Sequence, residues 1–227
     1  KNAKQSYTKA IELNPQYEEA FLGLGKVYLE EKDYEKSIEY FKKATEFKND
    51  FSEAYYFLGT VYHDLYLNGH INNLEKAKKF VNIAIEKDPS VAKHYNLLAI
   101  IYKDQKRVKE AFQAEQKAFE LDNELHNNLG FTYYLLGQID NAIDKFNDAI
   151  KFDADDQRPY FNLAMCYLIK GQQDDGIKCY QKALKVDKKS KRSEIKEHMR
   201  DLEDALAEHP EWKEKLRPAF EILQKAV

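Results

Sequence analysis

Asparagines, two cations and a set of apolar side chains are where this chain could do chemistry. Asn128 and Asn162 lie 34 residues apart, and Asn96 and Asn127 lie 31 apart. An asparagine amide both donates and accepts, so a row of them can hold the peptide bonds of an extended segment. Lys93 and Arg158 could place acidic groups of such a segment, and Ile100, Phe131, Tyr134, Phe161 and Met165 offer apolar surface. Nothing comparable supports catalysis. The 6 histidines include no pair at the HExxH or HxxxH spacing of a zinc helix. GxSxG, GxxxxGK[ST] and GxGxxG do not occur, and Gly23-Leu24-Gly25 fits helix packing better than a phosphate loop. Cys166 and Cys179 read as buried thiols that act as small apolar residues. Asp155-Asp156 and Asp174-Asp175 read as helix caps. The expectation is a protein that is not an enzyme and takes no cofactor or metal.

These side chains must be positioned by helices. Of 227 residues 43% are hydrophobic and 33% charged, while Gly and Pro number only 8 and 5. That mix supplies a core and argues against collagen-like or disordered chains. Lys+Arg 36 against Asp+Glu 39 leaves a formal charge of -3. The basic excess with which proteins displace counterions from nucleic acid is missing, so no nucleic-acid partner is expected. No apolar run approaches the roughly 20 residues of a membrane helix, and no signal peptide opens the chain. Two cysteines are too few for a disulfide framework and permit a reducing compartment. The reading leans to a soluble, cytoplasmic protein and leaves the compartment open.

The chain repeats itself. Tyr28, Tyr62, Tyr102, Tyr133 and Tyr167 are spaced by 34, 40, 31 and 34. Leu24, Leu58, Leu98, Leu129 and Leu163 each precede one by four, and each is followed by Gly or Ala. Alanines recur seven apart, as in Ala77/Ala84, Ala111/Ala118 and Ala142/Ala149. Phe21, Leu24, Gly25 and Tyr28 share one face of a helix, and Ser37, Phe41 and Ala44 share a face of the next. Each repeat is therefore two helices, with a small residue where they approach closely.

This pattern resembles the tetratricopeptide repeat: an aromatic, Leu-Gly, Tyr, then Ala, an aromatic, Ala and Pro over about 34 residues. The resemblance implies an all-α fold, a right-handed α–α superhelix. Residues 1–17 would be the second helix of a truncated repeat, so that the chain reads as a fragment or processed form of a longer protein. Repeats would follow at 18–51, 52–91 with a six-residue insertion, 92–122 with a three-residue deletion, 123–156 and 157–190. Residues 191–227 would form C-terminal capping helices. In this family a peptide or helix of a partner lies in the concave groove lined by the first helices. The positions that match are Lys93, Asn96, Ile100, Asn127, Asn128, Phe131, Tyr134, Arg158, Phe161, Asn162 and Met165; Glu124 and Leu168 lie on the same stripe. A similar asparagine ladder grips peptide backbone in the repeats of O-GlcNAc transferases. In this chain the asparagines could instead bond only to neighbouring backbone. The apolar C-terminal half of the groove could receive a partner or be filled by the C-terminal helices themselves. The Lys/Asn/Arg clamp for acidic chaperone tails is not reproduced, since Leu22, Tyr56 and Phe57 replace polar positions and Lys26 stands isolated.

Several local features carry expectations. The insertion falls in His63–Asn73, where the first helix would run on and then loop at Asn68-Gly69. Glu115 stands where other repeats have an aromatic, and would reach solvent past Phe112 and Phe119 or pair with a cation. Ile195, Met199, Leu202 and Leu206 predict one amphipathic helix, and Trp212–Val227 a second, interrupted at Pro218. Trp212 would belong to the cap or anchor a partner. The basic stretch Lys185, Lys188, Lys189, Lys191, Arg192 reads as a solvated junction, or as a seat for an acidic partner or lipid surface. Three functions remain: a protein-interaction module or scaffold, a self-associating assembly unit that uses Ala3, Tyr7 and Ala10 or the insertion, and a regulatory domain of a larger enzyme.

Overall fold

The computed structural model describes residues 2–122, 125–186 and 191–226. Among the described residues there are 13 α-helices, two short 3-10 turns and no strand. Glu124, Lys188 and Lys189 of the expectations above lie outside the described residues, as do the side chains of Lys191 and Arg192.

The chain forms two compact units, Lys1–Arg107 and Val108–Val227. The first holds α1 (Asn2–Leu13), α2 (Glu18–Glu30), α3 (Tyr34–Phe47), α4 (Ser52–Leu67), α5 (Leu74–Lys87) and α6 (Ala92–Asp104). The second holds α7 (Val108–Leu121), α8 (His126–Leu135), α9 (Ile139–Phe152), α10 (Arg158–Ile169), α11 (Gln173–Val186), α12 (Lys191–Glu208) and α13 (Lys213–Ala226). The boundary falls between the two helices expected of the 92–122 repeat.

Close approach within pairs explains the small residues. A Cβ on Gly59 would come within 2.6 Å of Val81, and one on Gly130 within 2.7 Å of Phe146. Gly25 makes the same room for the Phe41 ring, and the buried Ser37 hydroxyl donates to the Gly25 carbonyl at 2.9 Å. Phe21, Phe41, Leu58 and Val61 centre the core of the first unit. Phe146, Phe161, Tyr180, Leu202, Leu216 and Leu223 centre that of the second. The insertion lengthens α4 to 16 residues and adds a 3-10 turn, Ile71–Asn73, before α5.

Two expectations change. Glu115 neither reaches solvent nor leaves its place to phenylalanine: it is 2% exposed and accepts a hydrogen bond from the Thr132 hydroxyl. Phe112 packs edge-on against Tyr133 and Phe119 against His126. Pro218 does not interrupt the last helix. It sits inside α13, half-buried, while Leu216, Ala219 and Leu223 are fully buried. Burial of that face outweighs the backbone hydrogen bond that proline removes.

Candidate partner-binding site

In the first unit, α2, α4 and α6 bring a charged and aromatic cluster together. Lys26 Nζ donates to Glu53 Oε1 at 2.9 Å, and Lys93 Nζ lies 3.7 Å from the same oxygen. Both ammonium groups lie over aromatic rings: Lys26 is 4.7 Å from the Phe57 centroid, and Lys93 is 5.0 Å from that of Tyr56. Burial alone would raise the Glu53 carboxyl; the hydrogen bond and charge of Lys26, then Lys93, outweigh it and hold the group below its ordinary value. Two cations thus share one carboxylate, with excess positive charge beside half-buried aromatic rings. Phe57 is fixed from behind by stacking on Phe41, and Tyr56 by the buried His94. Lys26 is therefore not isolated. The signal the sequence reading missed was the pairing of Lys26 in one repeat with Glu53 at the start of the next. Asn96 and Ile100, on α6, are half-buried. One turn further along, His63 Nε2 meets Asp104 Oδ2 at 2.6 Å.

The second unit treats its predicted residues differently. Asn127, Asn128 and Phe131 on α8 are half-buried. Asn162 Nδ2 on α10 donates to Asn127 Oδ1 at 3.1 Å. Arg158 is exposed, with its guanidinium on the Asp156 carboxylate at 2.8 and 3.1 Å. Tyr134, Phe161, Asn162 and Met165 are buried within the chain. The covering residues come from α12, α13 and the turn between them. His198 of α12 stacks on Phe161 with centroids 4.6 Å apart and accepts from Tyr180 Oη at 3.3 Å. Trp212 packs on Tyr134 at 5.2 Å, and His209 Nε2 donates to the Leu135 carbonyl at 2.8 Å. Four of the expected partner-binding residues are thus covered by the chain itself, the alternative the sequence left open. An apolar face cannot stay in water when amphipathic helices of the same chain can cover it. His198 and His209 escaped the sequence reading; the His-Pro-Glu-Trp run at 209–212 was the available signal.

Other groups are accounted for locally. Asp156 Oδ1 accepts the Arg158 backbone amide at 2.9 Å at the start of α10. Cys166 is buried, and burial pushes its thiol far up, so no reactive thiolate forms there. Among the described residues no group of three His, Cys, Asp or Glu could hold a metal ion. No described helix is long and apolar enough to cross a membrane.

The comparisons agree with this architecture. A family model described as TPR repeat matches residues 25–65. Models described as tetratricopeptide repeat match 6–39, 91–121, 124–156 and 158–190. The chain belongs to the tetratricopeptide-repeat family. Its fold is accordingly the all-α TPR solenoid fold. No curated protein sequence matches the chain. Among solved structures it is similar to YrrB, described as a TPR protein with an unusual peptide-binding site, at TM-score 0.62 and 20% identity over 83% of this chain and 95% of that one. It is similar to PilF of Pseudomonas aeruginosa at TM-score 0.66 and 18% identity, over 87% and 90%. A chain of the APC/C hetero-tetramer Cut9–Hcn1 gives TM-score 0.71 and 19% identity, over 90% of this chain and 39% of that one. At these identities the likeness is one of fold.

Proposed function

We propose that this TPR chain is a protein-interaction module without catalytic activity, and that its first-helix face in residues 1–107 takes an acidic, aromatic-bearing segment of a partner protein. The observation that carries the reading is the Lys26–Glu53–Lys93 cluster over Tyr56 and Phe57. At 3.7 Å from Glu53, Lys93 keeps donors to spare, and an incoming carboxylate can share both lysines with Glu53. The aromatic rings supply flat apolar area at little entropic cost. Asn96 on α6 is the amide proposed to hold the backbone of that segment. Asn127, Asn128 and Phe131 on α8 are proposed separately, as partner contacts of the second unit.

Fluorescence anisotropy with a panel of labelled ten-residue peptides tests this. Peptides that combine Asp or Glu with Phe or Tyr should bind in a salt-sensitive way. The Lys26→Glu/Lys93→Glu double variant should weaken them at least tenfold without loss of helical signal. Equal affinity for both proteins, or preference for basic peptides, would remove the reading. A second reading, self-association through α1, rests on Leu13, which is 79% exposed. Tyr7 does not serve it, since its ring packs against Gly23 of α2. A molecular mass that rises with concentration in light scattering, and falls for Leu13→Ser, would support self-association.

A further inference from the structure

At the end of α8 the second unit holds one of its own side-chain pairs in a built seat. The Leu135 carbonyl lies at a helix C-terminus, where acceptors lack intrahelical amides. It receives the His209 imidazole at 2.8 Å. Gly137, at φ +74°, provides a shelf without a side chain; a Cβ there would stand 3.3 Å from His209 Cε1. His209 stacks on Trp212 at 3.9 Å, and Trp212 closes over Tyr134. The seat thus recognises a hydrogen-bond donor followed three residues later by an aromatic ring.

The chain's own segment fits this surface incompletely. The Tyr134 hydroxyl, on the ring that Trp212 covers, is buried without a hydrogen-bond partner. Neither the His209 nor the Trp212 side chain supplies one. An extended segment has free amides and carbonyls, and can satisfy it.

We propose that His209–Trp212, with α12 and α13, is a displaceable internal ligand of the α8–α11 repeats. The external ligand of the same seat is a partner-protein segment that carries an aromatic side chain three residues after a hydrogen-bond donor. This rests on the reading of the chain as an interaction module, and adds to it a second, self-occupied surface. Because the internal ligand is tethered, an outside segment competes against a high effective concentration and gains access only when the tethered contact is weakened or outmatched.

Trp212 is the single tryptophan, so its emission reports the seat directly. The probe is a fluorescein-labelled peptide copying residues 208–219 with phenylalanine in place of Trp212, titrated into the whole chain. His209→Ala removes the anchor bond but keeps the fluorophore. That variant should bind the probe at least tenfold more tightly than the unmodified chain, with tryptophan emission moving to the red as the probe saturates. Equal affinity for both chains, binding without a red shift, or no binding by a folded variant would each overturn the proposal and leave a fixed cap. Should the variant lose its helical signal, native-state hydrogen exchange of the unmodified chain decides. Residues 195–226 should open at lower denaturant than α10 and α11; opening in one step with them would overturn the proposal. The Lys26→Glu/Lys93→Glu variant, carried through the same titration, should leave this competition unchanged. Failure of acidic-peptide binding alone therefore removes the first site and not the second.

Discussion

On α4, Tyr56 and Phe57 sit under Lys26 and Lys93 and stay half-exposed, whereas on α8 and α10 Tyr134, Phe161 and Met165 are sealed by α12 and α13. Both sets lie on first helices of their repeats. The difference lies in what surrounds the rings. Lysines and a glutamate on α2, α4 and α6 would lose hydration under an apolar helix, and that cost keeps the face open. On α8 and α10 the one Lys, Arg, Asp or Glu side chain is Arg158, which lies at the helix start, exposed and on Asp156, so burying Tyr134, Phe161 and Met165 beyond it is favourable. The charge pattern of the first helices thus decides which part of the solenoid meets solvent.

The largest effect should separate the two faces by stability. Trp212→Ala removes a side chain only 7% exposed and should destabilise the second unit by about 3–5 kcal/mol. Tyr56→Ala, from a half-buried site, should cost the first unit at most about half as much. Urea denaturation followed by circular dichroism measures both. Similar losses would break the comparison and make the first face as structural as the second.

Acid should also act unequally. Burial lowers the His198 pKa to about 3, and its neutral Nε2 accepts from Tyr180 Oη; the nearest carboxylate, Asp201, is 4.0 Å from Nδ1. The unfolded ring titrates near 6.5, so the unfolded state binds the extra proton first. The contribution of neutral His198 is complete above pH 6.5 and is lost as pH falls from there towards 3, by up to about 1.4 kcal/mol per pH unit. Between pH 7 and 5 the urea midpoint of the second unit should therefore fall, and His198→Phe, which keeps the ring stack on Phe161, should flatten that fall. In the first unit, His94 is lowered too, by burial, so its own acid response should survive the His198→Phe change. An unaltered pH profile in the variant would exclude His198 as the source.

A third change should treat the units alike. Gly25→Ala pushes a methyl into Phe41 and Gly130→Ala into Phe146, so each should cost about 1–3 kcal/mol. Equal losses by thermal melting would show that helix pairing is common to both units, and that only the outer cover differs.

That shared pairing is the part of the molecule most legible in sequence. Gly25, Gly59 and Gly130, each one residue after a leucine and three before a tyrosine, announce helix contacts that the structure contains. Periodicity reports such contacts because every repeat must solve the same local packing problem. The candidate site was legible only in its residues. Lys93, Asn96 and Asn128 remain partly in contact with solvent, while Tyr134, Phe161, Asn162 and Met165 went to the chain's own C-terminal helices. No period encodes that choice, because α12 and α13 occur once and meet helices far back in sequence. The burial of Glu115 was illegible for a related reason: the hydroxyl that donates to it, Thr132, lies on another helix 17 residues away.

The smallest prediction turns the comparison on the backbone. After the first helix of each pair one residue takes a left-handed conformation. In the second unit it is Gly137 (φ +74°) or Gly171 (φ +78°); in the first it is Lys32 (φ +60°) or Lys106 (φ +58°), with Gly69 (φ +92°) in the insertion. A side chain with a Cβ is strained there by about 1–2 kcal/mol, and glycine offsets part of the relief through its freer unfolded state. Lys32→Gly should therefore stabilise the first unit by about 0.5–1 kcal/mol, since the side chain of Lys32 is exposed and its loss removes no core contact. The converse test is Gly171→Ala. Nothing lies within 4 Å of a Cβ at that position, so its loss should be conformational and of similar size. Gly137→Ala should cost more, because its methyl would press on His209. A larger penalty at Gly137 than at Gly171, in parallel melting curves, would show that the first turn supports the C-terminal segment while the second only reverses the chain.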